Sequence, residues 1–128
     1  MQPKTVGIAV VESQGRFLVG TRREGQVLAG AAEFPGGKCE VGESPQQCAV
    51  RECFEETGLR IEPLRLLEQL RFEYPHGIVD LHFWLCREVE PAAEPQHGFQ
   101  WVSYAELRSL KFPTANESVV RKLLEAHE

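Results

Sequence analysis

The stretch FPGGKCEVGESPQQCAVRECFEETGL, Phe34 to Leu59, decides how the rest of the chain is read. It crowds five glutamates (Glu40, Glu43, Glu52, Glu55 and Glu56) and four glycines into one short span, with only Lys38 and Arg51 to oppose the charge. Its second half specifies both ends of a helix. Ser44 is a good N-cap, Pro45 suits the first helical position, and Gln47 completes a capping box. Gly58 suits the left-handed residue that closes a helix, and Leu59 is the apolar residue that follows it. The pattern predicts a helix from Pro45 to Thr57.

At about 100° per residue, Glu56 falls about 40° to one side of Glu52 and Glu55 about 60° to the other. Three carboxylates therefore share one face, and Ala49, Val50, Cys53, Phe54 and Thr57 are expected on the buried flank. Like charges on adjacent turns cost some tenths of a kcal/mol per pair. Glu55 and Glu56 also sit at the end of the helix dipole that disfavours anions. A face made only for solubility would intersperse lysines, and none lies between Arg51 and Thr57. A hard divalent cation accounts for the cluster, because it takes oxygen ligands and tolerates crowded carboxylates. The glycines before the helix are expected to allow tight bends that open carbonyls toward such an ion.

The chain around this segment has 128 residues, 42% of them hydrophobic and 26% charged, which suits one domain over residues 1–128. A net charge of −5 argues against a nonspecific grip on nucleic-acid polymer. The four cysteines, Cys39, Cys48, Cys53 and Cys86, show no CxxC spacing and are read as small buried hydrophobes with reduced thiols. The opening apolar run is too short for a signal peptide or a membrane helix, so a cytoplasmic protein without a membrane partner is expected.

Strands are expected over "KTVGIAVV", "GRFLVGTRR", "IVDLHFWLCREVE" and "FQWVS". "EGQVLAGAAEFPGG" reads as loop or short strand. "IEPLRLLEQLRFEYPHG" should hold a strand ending near Tyr74, with Pro63 obscuring its first half. Ser103 and Glu106 form a capping box for a short helix, "YAELRSL". "FPTANESVVRKLLEAHE" closes the chain as an amphipathic helix. Strands outnumber helices in a mixed layout around one sheet.

Gly37, five residues, Glu43, seven residues, Arg51-Glu52, two residues, Glu55-Glu56, one residue and Gly58-Leu59 together resemble the Nudix box. Cys53 departs from it, standing where the family has a bulky aliphatic residue. "TRR" at 21–23, "EFPGGK" at 33–38, "FEYP" with "LHFWL", and "FPTANESVVRKL" extend the likeness to the MutT-like branch, which hydrolyses oxidised guanine nucleotides. The resemblance implies an α+β architecture, an α/β/α sandwich in which a mixed sheet is flanked by the box helix and the C-terminal helix. It implies a hydrolase that converts a nucleoside triphosphate to monophosphate and pyrophosphate with Mg²⁺, or Mn²⁺ in its place. Metal coordination falls to the Gly36 carbonyl, Glu55 and Glu56, with Glu52 a further ligand or the base that activates water. Glu43 and Arg51 are expected to form a supporting ion pair. Arg23 would meet phosphate, Phe34 and Asn116 the base, and Gly37 is placed with them as substrate-binding. The family's later-loop glutamate has no clear counterpart; Glu94 and Gln96 are the candidates.

Each residue also has a plainer role. Arg23 would be solvated, Phe34 would be core, and Asn116 would cap the last helix. Trp84 is expected in the core, Trp101 in the core or a pocket wall, and His76 in a turn beside the pocket. The expected substrate is a small nucleotide, 8-oxo-dGTP or a relative. The alternatives are another nucleoside triphosphate, a dinucleoside polyphosphate, a nucleotide sugar, or a non-catalytic nucleotide-binding module. A monomer or a homodimer fits equally.

Overall fold

The computed structural model of the chain describes residues 3–25, 29–91 and 93–127. Strands β1 (Lys4–Ser13) and β2 (Arg16–Thr21) are joined by a turn in which Gln14 and Gly15 both take positive φ. Two short strands follow, β3 (Ala32–Glu33) and β4 (Gly36–Lys38), then helix α1 (Pro45–Thr57). The long hairpin of β5 (Ile61–Tyr74) and β6 (Gly77–Glu88) leads to β7 (Gln100–Ser103), α2 (Tyr104–Ser109), a 3₁₀ turn (Thr114–Asn116) and α3 (Glu117–His127).

Among the described residues the strands form one mixed sheet in the order β3-β2-β1-β6-β5, with β4 paired to β1 and β7 to β2. Strand β1 organises it. Its first half pairs antiparallel with β4, its end pairs with β2, and its other edge runs parallel to β6 from Lys4 opposite Val79 to Val11 opposite Cys86. Successive side chains on β1 point to opposite faces. Ile8 and Val10 join one core with Phe17, Phe83, Leu107, Val119 and Leu123, under α2 and α3. Ala9 and Val11 join a second with Leu18, Ala49, Cys53, Leu59 and Cys86, under α1. Helices on both faces of one mixed sheet make the expected α/β/α sandwich.

The caps of α1 are as expected. Ser44 Oγ accepts from Gln47 N at 3.1 Å, the Gln47 side chain accepts from Ser44 N at 3.0 Å, and Gly58 closes the helix at φ 78°. Four expectations change. Pro63 does not delay β5, which starts at Ile61; β5 lies at the sheet edge and shifts register between Pro63 and Arg65, where a missing N–H is tolerated. The last helix begins only at Glu117, after the 3₁₀ turn. Phe54 is not on the buried flank; it is 46% exposed, with the Arg60 guanidinium over its ring at 5.2 Å. Cys48 is buried, next to Ala49 and five residues before Cys53. Trp84 is only half-buried against the second core.

Candidate active site

Helix α1 lies across β4, so its acid face is partly covered. A Cβ placed on Gly37 would stand 2.4 Å from Glu52 Oε2, and the Gly36 N–H donates to Glu56 Oε1 at 3.0 Å. Gly36 and Gly37 serve close approach between backbone and carboxylate and take no positive φ; the tight bend expected of the loop's glycines falls at Gly42, φ 80°.

Arg51 holds the cluster together. Its Nε and Nη2 grip Glu43 Oε2 and Oε1 at 2.7 and 2.9 Å, the two-pronged pairing that suits guanidinium and carboxylate. Its Nη1 reaches Glu52 at 2.9 Å and Glu55 at 3.2 Å. Its Nη2 also donates to the Lys38 carbonyl, so the helix is tied to the end of β4. The expected Glu43–Arg51 pair is present. Hydrogen bonds from Arg51, and then from the Glu40 backbone, hold the Glu43 carboxyl down at about 2.

Glu56 stands apart from this clamp. Burial, with the charges of Glu52 and Glu33 beside it, pushes its carboxyl up to about 7 against the pull of the Gly36 N–H. A carboxylate held next to like charges, in an all-oxygen set with Glu52, Glu55 and the adjoining Gly36 peptide, fits a hard divalent cation, which would relieve both the burial and the repulsion. Arg51 binds Glu52 and Glu55, and the ligand atoms of the three carboxylates do not all lie within 4.8 Å of one another. Among the described residues, the trio of metal-ligating side chains whose ligand atoms lie within 4.8 Å of one another is Cys39, Glu43 and Cys48.

Two clefts meet here. One, of about 420 Å³, is lined by Arg23, Glu33, Glu55, Glu56, His97 and Phe99, with Thr21 at its edge. The other, of about 410 Å³, is largely apolar; Ile8, Phe34, Tyr74, Leu81 and Asn116 line it, and Glu33 and His76 belong to its wall. Glu33 lies in both. Register places it: β3 pairs with β2 so that Glu33 stands opposite Gly20. Its carboxyl is raised by burial and held back by Arg22, which it meets at 3.4 Å, and by Arg23.

Of the expected site residues, Arg23, Glu55 and Glu56 line the acid cleft, and Phe34, Gly36 and Asn116 line the apolar one. Glu52 and Gly37 lie against each other behind them. Phe34 is 6% exposed and stacks on Phe112 at 4.9 Å, so it serves the core as well as the cleft wall. Neither Glu94 nor Gln96 lines the acid cleft. The Gln96 N–H bonds to the Thr57 carbonyl at 2.8 Å, and its side chain lies over Gly58, beyond the helix end. The next residue, His97, enters the cleft at φ 58°. Sequence reading missed Glu33 and His97. Alternation from Phe34 could have flagged the first; nothing local marks the second.

Comparison with known proteins fits this arrangement. The family described as NUDIX domain matches residues 6–122. The chain belongs to the Nudix family. Among Nudix relatives, the 8-oxo-dGTP diphosphatase of Escherichia coli K12 is 36% identical over 126 residues, covering 96% of this chain and 98% of that protein. The 8-oxo-dGTP diphosphatase of Haemophilus influenzae is 41% identical over 113 residues, covering 86% and 82%. The solution structure of the E. coli ORF135 protein superposes with a TM-score of 0.81 at 26% identity, covering 99% of this chain and 92% of that one. The resemblance to the MutT-like branch is thereby borne out. The chain is an enzyme acting on pyrophosphate bonds, of a family that uses divalent metal ions.

Proposed function

We propose that the chain, working as one Nudix domain over residues 1–128, is a Mg²⁺-dependent nucleoside triphosphate pyrophosphohydrolase. Its substrates are oxidised purine nucleotides such as 8-oxo-dGTP, which it converts to the monophosphate and pyrophosphate in the cytoplasm. The observation that carries this reading is the junction at Glu33 of an acid cleft and an apolar cleft, the shape a base with a charged tail requires. The two relatives that are 8-oxo-dGTP diphosphatases support the substrate class.

Bound Mg²⁺, held by Glu55, Glu56 and the Gly36 carbonyl, would supply the positive charge that an acidic surface needs to hold a triphosphate. The remaining steps belong to the protein. Phe34 and Asn116 receive the base, one as an apolar wall and the other with an amide that both donates and accepts. Arg23, beside Glu55 and Glu56, faces the phosphate tail. Glu52, fixed between Arg51 and the Gly37 backbone, takes the proton from the attacking water. Arg51 and Glu43 position that base without touching substrate.

A panel of oxidised and unmodified nucleotides, assayed for pyrophosphate with and without Mg²⁺, tests the reading. Strictly metal-dependent turnover, faster on 8-oxo-dGTP than on dGTP, is the expected result, and Glu52→Gln should lower it by roughly 10²–10⁴-fold at unchanged fold. Orthophosphate as product, or near-native rates for Glu52→Gln, would refute it.

A further inference from the structure

Cys39, Glu43 and Cys48 are not among the residues that the reaction needs as metal ligands, yet their ligand atoms converge more closely than those of the acid face. All three lie within 4.8 Å of one another. They come from one short loop in the spacing Cys-x₃-Glu-x₄-Cys: Cys39 follows β4, Glu43 precedes the helix cap, and Cys48 is in the first turns of α1. Hydrogen bonds anchor both ends of the segment. The Cys39 N–H bonds to the Thr5 carbonyl at 2.9 Å, Cys48 N–H to the Ser44 carbonyl at 2.9 Å, and the Cys48 thiol to the Gly37 carbonyl at 3.2 Å. Cys48 is fully buried and Cys39 half-buried, which leaves an approach from the Cys39 side.

We infer that Cys39, Cys48 and Glu43 form a second metal site, selective for a thiophilic divalent cation of the Zn²⁺ class, whose occupation inhibits the enzyme. With metal–sulfur bonds of about 2.3 Å, two sulfurs around one tetrahedral ion stand about 3.8 Å apart, so the trio must close by no more than about 1 Å. Two thiolates and one carboxylate suit Zn²⁺ and Cd²⁺ and leave Mg²⁺ to the all-oxygen face, so the two sites sort metals by softness. Binding releases one proton from each thiol to solvent as its sulfur takes up the ion.

Inhibition follows from Glu43. Both of its oxygens are engaged by Arg51, and Arg51 in turn holds Glu52 and Glu55. An ion that takes a Glu43 oxygen breaks the two-pronged pair and loosens the guanidinium that positions the base. By linkage, whatever strengthens the Arg51–Glu43 pair weakens the ion to the same degree.

Titration of the full chain with Cd²⁺ in the absence of Mg²⁺ tests the site without reference to catalysis. A thiolate-to-metal ultraviolet band should saturate near a single equivalent. Cys39→Ser, at the half-buried position, should weaken binding at least about tenfold, the lower end of what altering even a supporting group around a metal costs. Cys48→Ala should do the same, while Cys53→Ala and Cys86→Ala should leave the band in place. Absence of the band, or its persistence in both Cys39→Ser and Cys48→Ala, would overturn the site. In the turnover assay, Zn²⁺ should inhibit the native chain in a way that added Mg²⁺ does not relieve, and Cys39→Ser should keep basal activity and resist. Inhibition that Mg²⁺ reverses, or that Cys39→Ser shares, would place Zn²⁺ on the acid face and overturn the regulatory half. A chain with the band but without nucleotide hydrolysis would count against the proposed function alone.

Discussion

Gly37 has no side chain because Glu52 occupies the space one would need. An added Cβ would stand 2.4 Å from the carboxylate, and what must move is the end of a side chain, not backbone. Gly37→Ala should therefore displace Glu52 and lower turnover on every nucleotide alike, with little change in melting temperature; equal rates for variant and native chain would show that Glu52 is not the base. Glu43 makes a different kind of prediction. Its carboxyl is depressed from 4.5 to about 2, first by Arg51, so its contribution to stability is complete above pH 4.5 and is lost as pH falls through about 2. Arg51 stays charged throughout. The melting-temperature gap between the native chain and Glu43→Gln should be constant near neutrality and close over that acid window. A gap that widened instead would mean that Arg51 is not the partner that matters.

The elements differ in how far local sequence determines them. Helix α1 was legible end to end because Ser44, Pro45, Gln47 and Gly58 act on their immediate neighbours. Ser44→Ala removes the 3.1 Å bond to Gln47 N, costs about 1 kcal/mol, and should lower the melting temperature by roughly 3–5 °C in a domain of this size. No measurable shift by calorimetry would mean that the helix is held by tertiary packing alone. What the helix touches was less legible. Phe54 looked buried on a helical wheel, but it stands at the edge of the buried flank, 46% exposed, with the Arg60 guanidinium over its ring. Strand β5 was obscured by Pro63 because nothing local says that a strand will be an edge. Glu33 and His97 reach the acid cleft through partners distant in sequence: Gly20 for the first, and Thr57, through Gln96, for the second. Motif residues carry their own spacing; residues placed by register or by a loop anchor do not.

At the scale of the molecule the sheet separates two tasks. On the proposed function, residues on and beside α1 gather charge for the phosphates, while Phe34, Tyr74 and Asn116 shape a cleft in which a base would be read. On that reading the acid side handles phosphates alone, and discrimination between nucleotides is assigned to the other cleft. Asn116 ends the 3₁₀ turn ahead of α3, away from the Arg51 clamp. Asn116→Ala should then change the ratio of kcat/KM between oxidised and unmodified guanine nucleotides by roughly 1–3 kcal/mol, the worth of a good amide contact with a base edge. It should leave the Mg²⁺ concentration for half-maximal rate where it was. Glu52→Gln should do the reverse, lowering kcat for every nucleotide by a common factor and preserving the ratio. Steady-state kinetics on two nucleotides at several Mg²⁺ concentrations measure both. If Asn116→Ala slows both substrates equally, the apolar cleft does not read the base, and the split of labour between the clefts is wrong.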